Sequence, residues 1–201
     1  MTGQCQYALK EWSVTIDSLF AGQQILLLRK GGIHEQRDGF KVEHRDFFLF
    51  PSHLHQHRLA LHASFQFDLG EPNDSKTPTI VLNTFAGVQE LIPISNFESL
   101  RGLDGLHTLS WATVLERFSY RNRPGLSLLL LRVYRLPAPH EIQNLERYDG
   151  CVSWVELEQS LSVMGAEPVL DSDAFEDQVQ NIRRLAGLTS PVTPELGQEH
   201  T

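Results

Sequence analysis

"GLSLLLLRVYRLP", residues 125–137, decides how the rest of the chain is read, because its four consecutive leucines make it the strongest core-strand candidate in the sequence. The leucine run, Leu128 to Leu131, is far too short to span a bilayer. Immediately upstream, Trp111, Val114, Leu115 and Phe118 share one face of a helix expected over Ser110 to Phe118. Downstream, Val152, Trp154 and Val155 suggest a further strand or a packed turn. A last helix follows, with Asp171 to Asp173 as caps, Phe175, Val179, Ile182 and Leu185 on one face, and Gly187 as its stop.

Toward the N-terminus, Leu9, Trp12, Ile16, Leu19 and Phe20 recur at helical spacing and predict a first helix that ends at Gly22. Ile25 to Leu28 form an apolar run too short for a helix, so they are expected as a strand covered on both faces. Phe40 to Phe50 supply one or two strands, and Pro51 with Ser52 opens a short helix through His57. "TIVLNTF", residues 79–85, and Val88 to Ile92 read as two more strands after the polar loop "GEPNDSKTP", residues 70–78, and a helix begins near Ser95 or Asn96. Strands and helices alternate without regular βαβ spacing. The expectation is an α+β fold, either a compact mixed sheet or a partly closed β-barrel with peripheral helices, in a single domain over residues 1–187. Residues 188–201 lack core-forming periodicity and are expected to be a disordered tail.

The chain has 201 residues, 41% of them hydrophobic, and a net charge of -8. That charge is unevenly placed: residues 1–147 carry 15 basic and 15 acidic side chains, while residues 148–201 carry 2 basic and 10 acidic. Between Arg117 and Leu136 stand Arg117, Arg121, Arg123, Arg132 and Arg135 with no carboxylate among them, so a locally positive face is compatible with the acidic total. Cys5 and Cys151 are far apart and form no CxxC pair, so neither a zinc ribbon nor a disulfide scaffold is indicated and a reducing cytosol fits. No signal segment or membrane span is read, and a cytoplasmic, membrane-free protein is expected.

Several groups carry candidate chemistry. In "LLLRKGGIHE", residues 26–35, Gly31 and Gly32 permit a turn whose amides can hold an anion beside Arg29 and Lys30, but the phosphate-loop pattern is absent and a Gly pair between strands is most often just a turn. Phe118 and Tyr120 interleave with Arg117, Arg121 and Arg123 in "RFSYRNR", residues 117–123, a composition that pairs phosphates with guanidinium groups and stacks bases on rings, or simply makes an exposed turn. Trp154 offers another ring and Arg132 another cation. His53 and His57 share a helical face at i and i+4 but complete no ligand set, so no metal or other cofactor is assigned. A metal-dependent nuclease needs carboxylates and a lysine; Asp74-Ser75-Lys76 sits in a polar loop, leaving Glu35, Asp38, Lys41 and Glu43 as the alternative set.

"YALKEW", "LLLRKGGIHE", "FFLFPSHLHQ", "LLLLRVYRL" and "YDGCVSWVEL" occur in this order, and together they resemble the bacterial family called domain of unknown function 1802 over residues 7–186. Members of that family have been noted beside restriction-endonuclease-like domains, which implies a role near restriction or nucleic-acid processing. The succession of helix, Gly22, strand, Arg29 and a late core strand is also similar to the PUA-like and ASCH small barrels, many of which bind RNA or modified bases. The resulting expectation is a module for RNA or DNA using Arg29, Lys30, Arg117, Arg121, Arg123 and Arg132, with Tyr120 or Trp154 as a stacking ring. The alternatives are the nuclease and a non-catalytic protein-interaction module whose acidic C-terminal segment engages a basic partner.

Overall fold

The computed structural model describes residues 3–30, 40–52, 58–65, 77–150 and 152–188. Strand β5, Leu126–Gln143, lies within a sheet that has seven strands among the described residues, and this explains why its leucines run without interruption. Leu128 and Leu130 point into one apolar cluster while Leu129 and Leu131 point into another, so both faces of the strand are covered and no position is left for a polar residue. Strand β2, Leu26–Arg29, pairs with it antiparallel and divides in the same way, Leu26 and Leu28 to one cluster and Leu27 to the other.

Along the hydrogen-bonded path the sheet runs β2, β5, β4 (Thr79–Ile94), β3 (Asp46–Ser52), β1 (Gln4–Trp12) and β6 (Trp154–Ser162), and the short β7, Glu167–Pro168, pairs with β5. β1 and β3 are parallel and every other pairing is antiparallel, which makes the mixed sheet of the two expected forms. This ladder does not close into a barrel. It curls instead, so that Leu9 of β1 and Leu27 of β2, with β3, β4 and β5 between them in the ladder, join one cluster with Phe47, Leu49, Ala86, Val88, Leu129 and Leu131. Helix α1, Ser13–Phe20, supplies Ile16 and Leu19 to that cluster. On the opposite face, α3 (Trp111–Ser119) and α4 (Ser172–Leu185) pack Val114, Phe118, Val179 and Ile182 against Leu26, Ile92 and Leu128. A third cluster joins Phe48, Phe50, Phe85, Tyr148 and Leu157.

Caps read from the sequence appear where the side chains can accept amide protons. Ser110 accepts from Thr113 N, Asp171 from Ala174 N, and Asn96 from Ser99 N at the start of the short helix α2, Phe97–Arg101. Gly22 and Gly187 take the left-handed conformation that follows a helix end.

Three local expectations are corrected. The first helix begins at Ser13, so Leu9 and Trp12 belong to β1; this strand is buried on both faces from Ala8 onward and shows no alternation to betray it. Pro51 and Ser52 end β3 rather than open a helix, Pro51 standing near the strand's end, while His53 to His57 lie outside the described residues. The segments 79–85 and 88–92 are one strand, β4, whose pairing with β5 shifts register between Leu82 and Thr84 and again between Val88 and Glu90. Such irregularities bend a long strand without ending it. No helix among the described residues is long and apolar enough to cross a membrane. The segment expected as a tail lies outside the described residues from Thr189 onward.

Two buried details set stability. A Cβ placed on Gly102 would stand 2.0 Å from the Leu185 carbonyl oxygen, so the residue after α2 touches the end of α4 backbone to backbone. Gly102→Ala is expected to lower the unfolding free energy by about 1–3 kcal/mol, read from urea unfolding. His107 is 2% exposed, and among the described residues neither of its ring nitrogens has a hydrogen-bond partner. Burial pushes its pKa down from 6.5 to about 4, Asp104 pulling it upward while His62 and Arg117 add to the depression. The unfolded chain therefore takes up this proton at higher pH than the folded protein. Stability from this residue is complete above pH 6.5 and drains away as pH falls toward 4, by up to about 3 kcal/mol. His107→Leu is expected to flatten the decline in melting temperature between those pH values relative to the unsubstituted protein.

Candidate nucleic-acid interface

The last turn of β1 carries two adjacent charges into the interior, Lys10 at 9% and Glu11 at 5% exposure, and both must be matched there. The Lys10 amine donates to the carbonyl oxygens of Tyr148 and Gly150. Glu11 Oε2 accepts from Arg29 Nη1 at 2.8 Å, and Glu11 Oε1 accepts from the Trp12 amide at 3.0 Å. Arg29 Nη1 also donates to the Lys10 carbonyl at 3.1 Å, and its guanidinium lies 5.0 Å from the centre of the Phe40 ring. Arg29 thus reaches from the end of β2 across to β1.

Arg117, on the inner side of α3, enters the same neighbourhood. Its guanidinium sits 4.8 Å from the Trp12 ring centre and donates to the Leu28 carbonyl at 3.3 Å. Burial lowers its pKa from the ordinary value; the Glu11 carboxylate opposes that, the Arg29 cation adds to it and Glu116 opposes it again. A guanidinium keeps its proton in a protein. Among the described residues Glu11 is the one buried carboxylate; it bonds Arg29 and attracts Arg117 from a distance, which leaves a positive excess inside the junction of β1, β2 and α3.

Lys30 closes the assembly. Its amine donates to the carbonyl oxygens of Phe118 at 3.1 Å, Gly125 at 2.8 Å and Arg123, so it gathers the end of α3 and the turn that leads into β5. Burial, with Arg123 adding, lowers its pKa. In that turn Arg121 has φ 57° and Asn122 φ 55°, a region that residues other than glycine seldom occupy. Tyr120 is 46% exposed with Arg121 at 5.2 Å from its ring centre, and Arg121 and Arg123 are both exposed.

The structure thus brings Arg29, Lys30, Arg117, Tyr120, Arg121 and Arg123 to one end of the sheet. Arg132 is elsewhere: it lies over Phe175 at 4.7 Å and donates to the Asp171 carbonyl at the start of α4. Arg135 donates twice to the Phe20 carbonyl at the end of α1. Trp154 packs edge-on to Phe47 at 5.0 Å and to His44 at 5.3 Å, and its indole donates to the Lys41 carbonyl. His44 in turn stacks on Tyr7 at 3.5 Å; burial lowers its pKa while Glu43 and Glu156 oppose the shift. Lys41 and Glu43 are exposed on the stretch before β3, whereas Glu35, Asp38, His53 and His57 lie outside the described residues, as do Gly31, Gly32, Cys151 and Asp74-Ser75-Lys76. Among the described residues no group of three histidine, cysteine or acidic side chains is placed to hold a metal ion.

Sequence reasoning missed Glu11, Trp12 and Phe97. Glu11 and Trp12 were hidden by the helical reading of this stretch. Phe97 is 43% exposed and its ring centre lies 4.2 Å from that of Phe118; an apolar residue directly after the Asn96 cap was the available signal.

The fold and this end of it define a mixed α+β sheet protein with a cationic, ring-bearing edge. The chain belongs to the family described as domain of unknown function (DUF1802), whose profile matches residues 8–181. Crystal structures of ASCH from Zymomonas mobilis align with it. A point mutant of that protein gives a TM-score of 0.41 at 10% identity over 87% of this chain and 94% of that one, and the unsubstituted protein 0.40 at 10% over 87% and 93%. No curated protein matches the chain by sequence.

Breaking the Glu11–Arg29 pair from one side leaves a charge stranded in the interior. Arg29→Met is expected to lower the unfolding free energy by about 3 kcal/mol, and the double variant Glu11→Leu with Arg29→Met to recover part of that loss in a urea-unfolding cycle.

Proposed function

We propose that the protein binds nucleic acid at the end of the sheet formed by β1, β2, α3 and the turn before β5. The observation that carries this reading is the Lys30 clasp, which places the exposed Arg121 and Arg123 beside the positive excess of Arg29 and Arg117. In this arrangement the roles divide by burial. Arg121 and Arg123 contact phosphates, the half-buried Lys30 holds the turn, and Arg29 and Arg117 supply a positive field from beneath it. The acidic excess belongs to residues 148–201, and the stretch from Arg117 to Leu136 carries no carboxylate.

Phosphate binding releases condensed counterions, so affinity must fall with salt. Titration of labelled oligonucleotides across a salt series is expected to give a negative slope of log affinity against log salt. Arg121→Ala with Arg123→Ala is expected to make that slope shallower by about 1–2. Binding that is absent, or indifferent to salt, removes the proposal.

A further inference from the structure

We infer that the ligand of this surface is a single-stranded nucleic acid, gripped by stacking on Tyr120 and Phe97 and by a guanidinium, Arg121, held out from a strained turn. The inference rests on the proposed function and adds the form of the ligand and the residues that select it.

The rings come first. Phe97 and Tyr120 are, among the described residues, two of the few large apolar side chains left open, at 43% and 46% exposure, and they flank the same element: Phe97 lies against Phe118, and Tyr120 follows Phe118 by two residues at the end of α3. The Phe118 carbonyl is one of the three bound by Lys30, so the support under both rings is tied to the cationic cluster. An exposed ring gains nothing from a duplex whose bases are already stacked on each other, since the duplex presents it chiefly with phosphates and sugar. An unpaired base has a free face, and rings interleaved with cations are what a single strand requires. Glu98 and Glu116 are the carboxylates nearest in sequence to these rings, and both precede the carboxylate-free stretch.

Arg121 supplies the second strand of argument. The backbone at Tyr120, φ -52° and ψ 129°, followed by Arg121 at φ 57° and ψ 30°, forms a turn whose second central position favours glycine or asparagine. An arginine there carries a conformational cost that glycine would avoid. Within the described residues its guanidinium contributes only a position over the Tyr120 ring, and it stays exposed. A side chain kept at a conformational cost and spent on no buried contact serves something outside the fold. Lying over Tyr120, it is set to pair a phosphate next to the base that the ring receives.

The test is fluorescence anisotropy at one fixed salt concentration with three labelled probes: single-stranded RNA, single-stranded DNA of matching sequence, and the corresponding DNA duplex. At least one single strand is expected to bind about tenfold more tightly than the duplex. Tyr120→Ala and Phe97→Ala are each expected to weaken single-strand binding about fivefold or more and to leave duplex binding unchanged. Tyr120→Ala keeps the test decisive should loss of the Phe97–Phe118 contact impair folding. Arg121→Gly is expected to weaken binding while the melting temperature stays equal or rises, a combination that a purely structural residue would not give. Equal binding of duplex and single strand, or ring variants that bind like the unsubstituted protein while loss of Arg121 and Arg123 still weakens binding, would overturn the single-strand inference and leave the nucleic-acid reading standing. Failure of all three probes to bind would overturn both.

Discussion

A carboxylate on a strand buried from both sides is the constraint on which this structure turns. Glu11 sits in β1 where neither face of the sheet is open to water, and an unpaired charge there would be prohibitive. Its counter-charge does not come from a neighbouring strand. Arg29 comes from β2, beyond β3, β4 and β5 in the ladder, and reaches Glu11 only because the sheet curls far enough for Leu9 and Leu27 to share one apolar cluster. The bond between them spans by side chain a gap that the backbone leaves open. Curl, cluster and ion pair therefore depend on one another, and α1 fills the hollow with Ile16 and Leu19.

The cationic end follows from that closure. Once Arg29 is committed to Glu11, Arg117 approaches a carboxylate already paired and takes its support from the Trp12 ring and a backbone carbonyl. Lys30, one residue beyond Arg29, is carried to the three carbonyls at the end of α3 and the start of β5. The half-buried Lys30 thus organises the turn, and exposed cations and rings are left on its outside. The same residue type does opposite work at Arg132 and Arg135, which bind carbonyls at the start of α4 and the end of α1.

Much of the fold was legible in the sequence for local reasons. The leucine run of β5, the matching run of β2, and the Ser110, Asn96 and Asp171 caps are signals that tertiary context reinforces. Where the reading failed, two structures shared one pattern. Leu9, Trp12, Ile16 and Leu19 satisfy a helical spacing, yet the first two lie on a doubly covered strand, which has no period of its own to compete. β4 reads as two strands because Ala86 and Gly87 between its two β-branched, apolar halves carry a break signal, whereas in the structure both residues stay paired with β5. For the candidate site, the types and grouping of Arg117, Tyr120, Arg121 and Arg123 were visible, while Arg132 and Trp154 were indistinguishable from them by type and proved to be packed elsewhere.

The sequence by itself determined the α+β class, the doubly covered strands β2 and β5, most helix ends and the separation of an arginine-rich stretch from an acidic C-terminal one, because each of these is written in neighbouring residues. Only the tertiary structure decided that Glu11 pairs with Arg29, that Lys30 binds the turn after α3, and that Phe97 stands open beside Phe118. Those relations join residues far apart in the chain: the curl of the sheet brings β2 within reach of Glu11, the pairing of Arg29 with Ser127 sets Lys30 beside the turn before β5, and the packing of α2 on α3 sets Phe97 against Phe118.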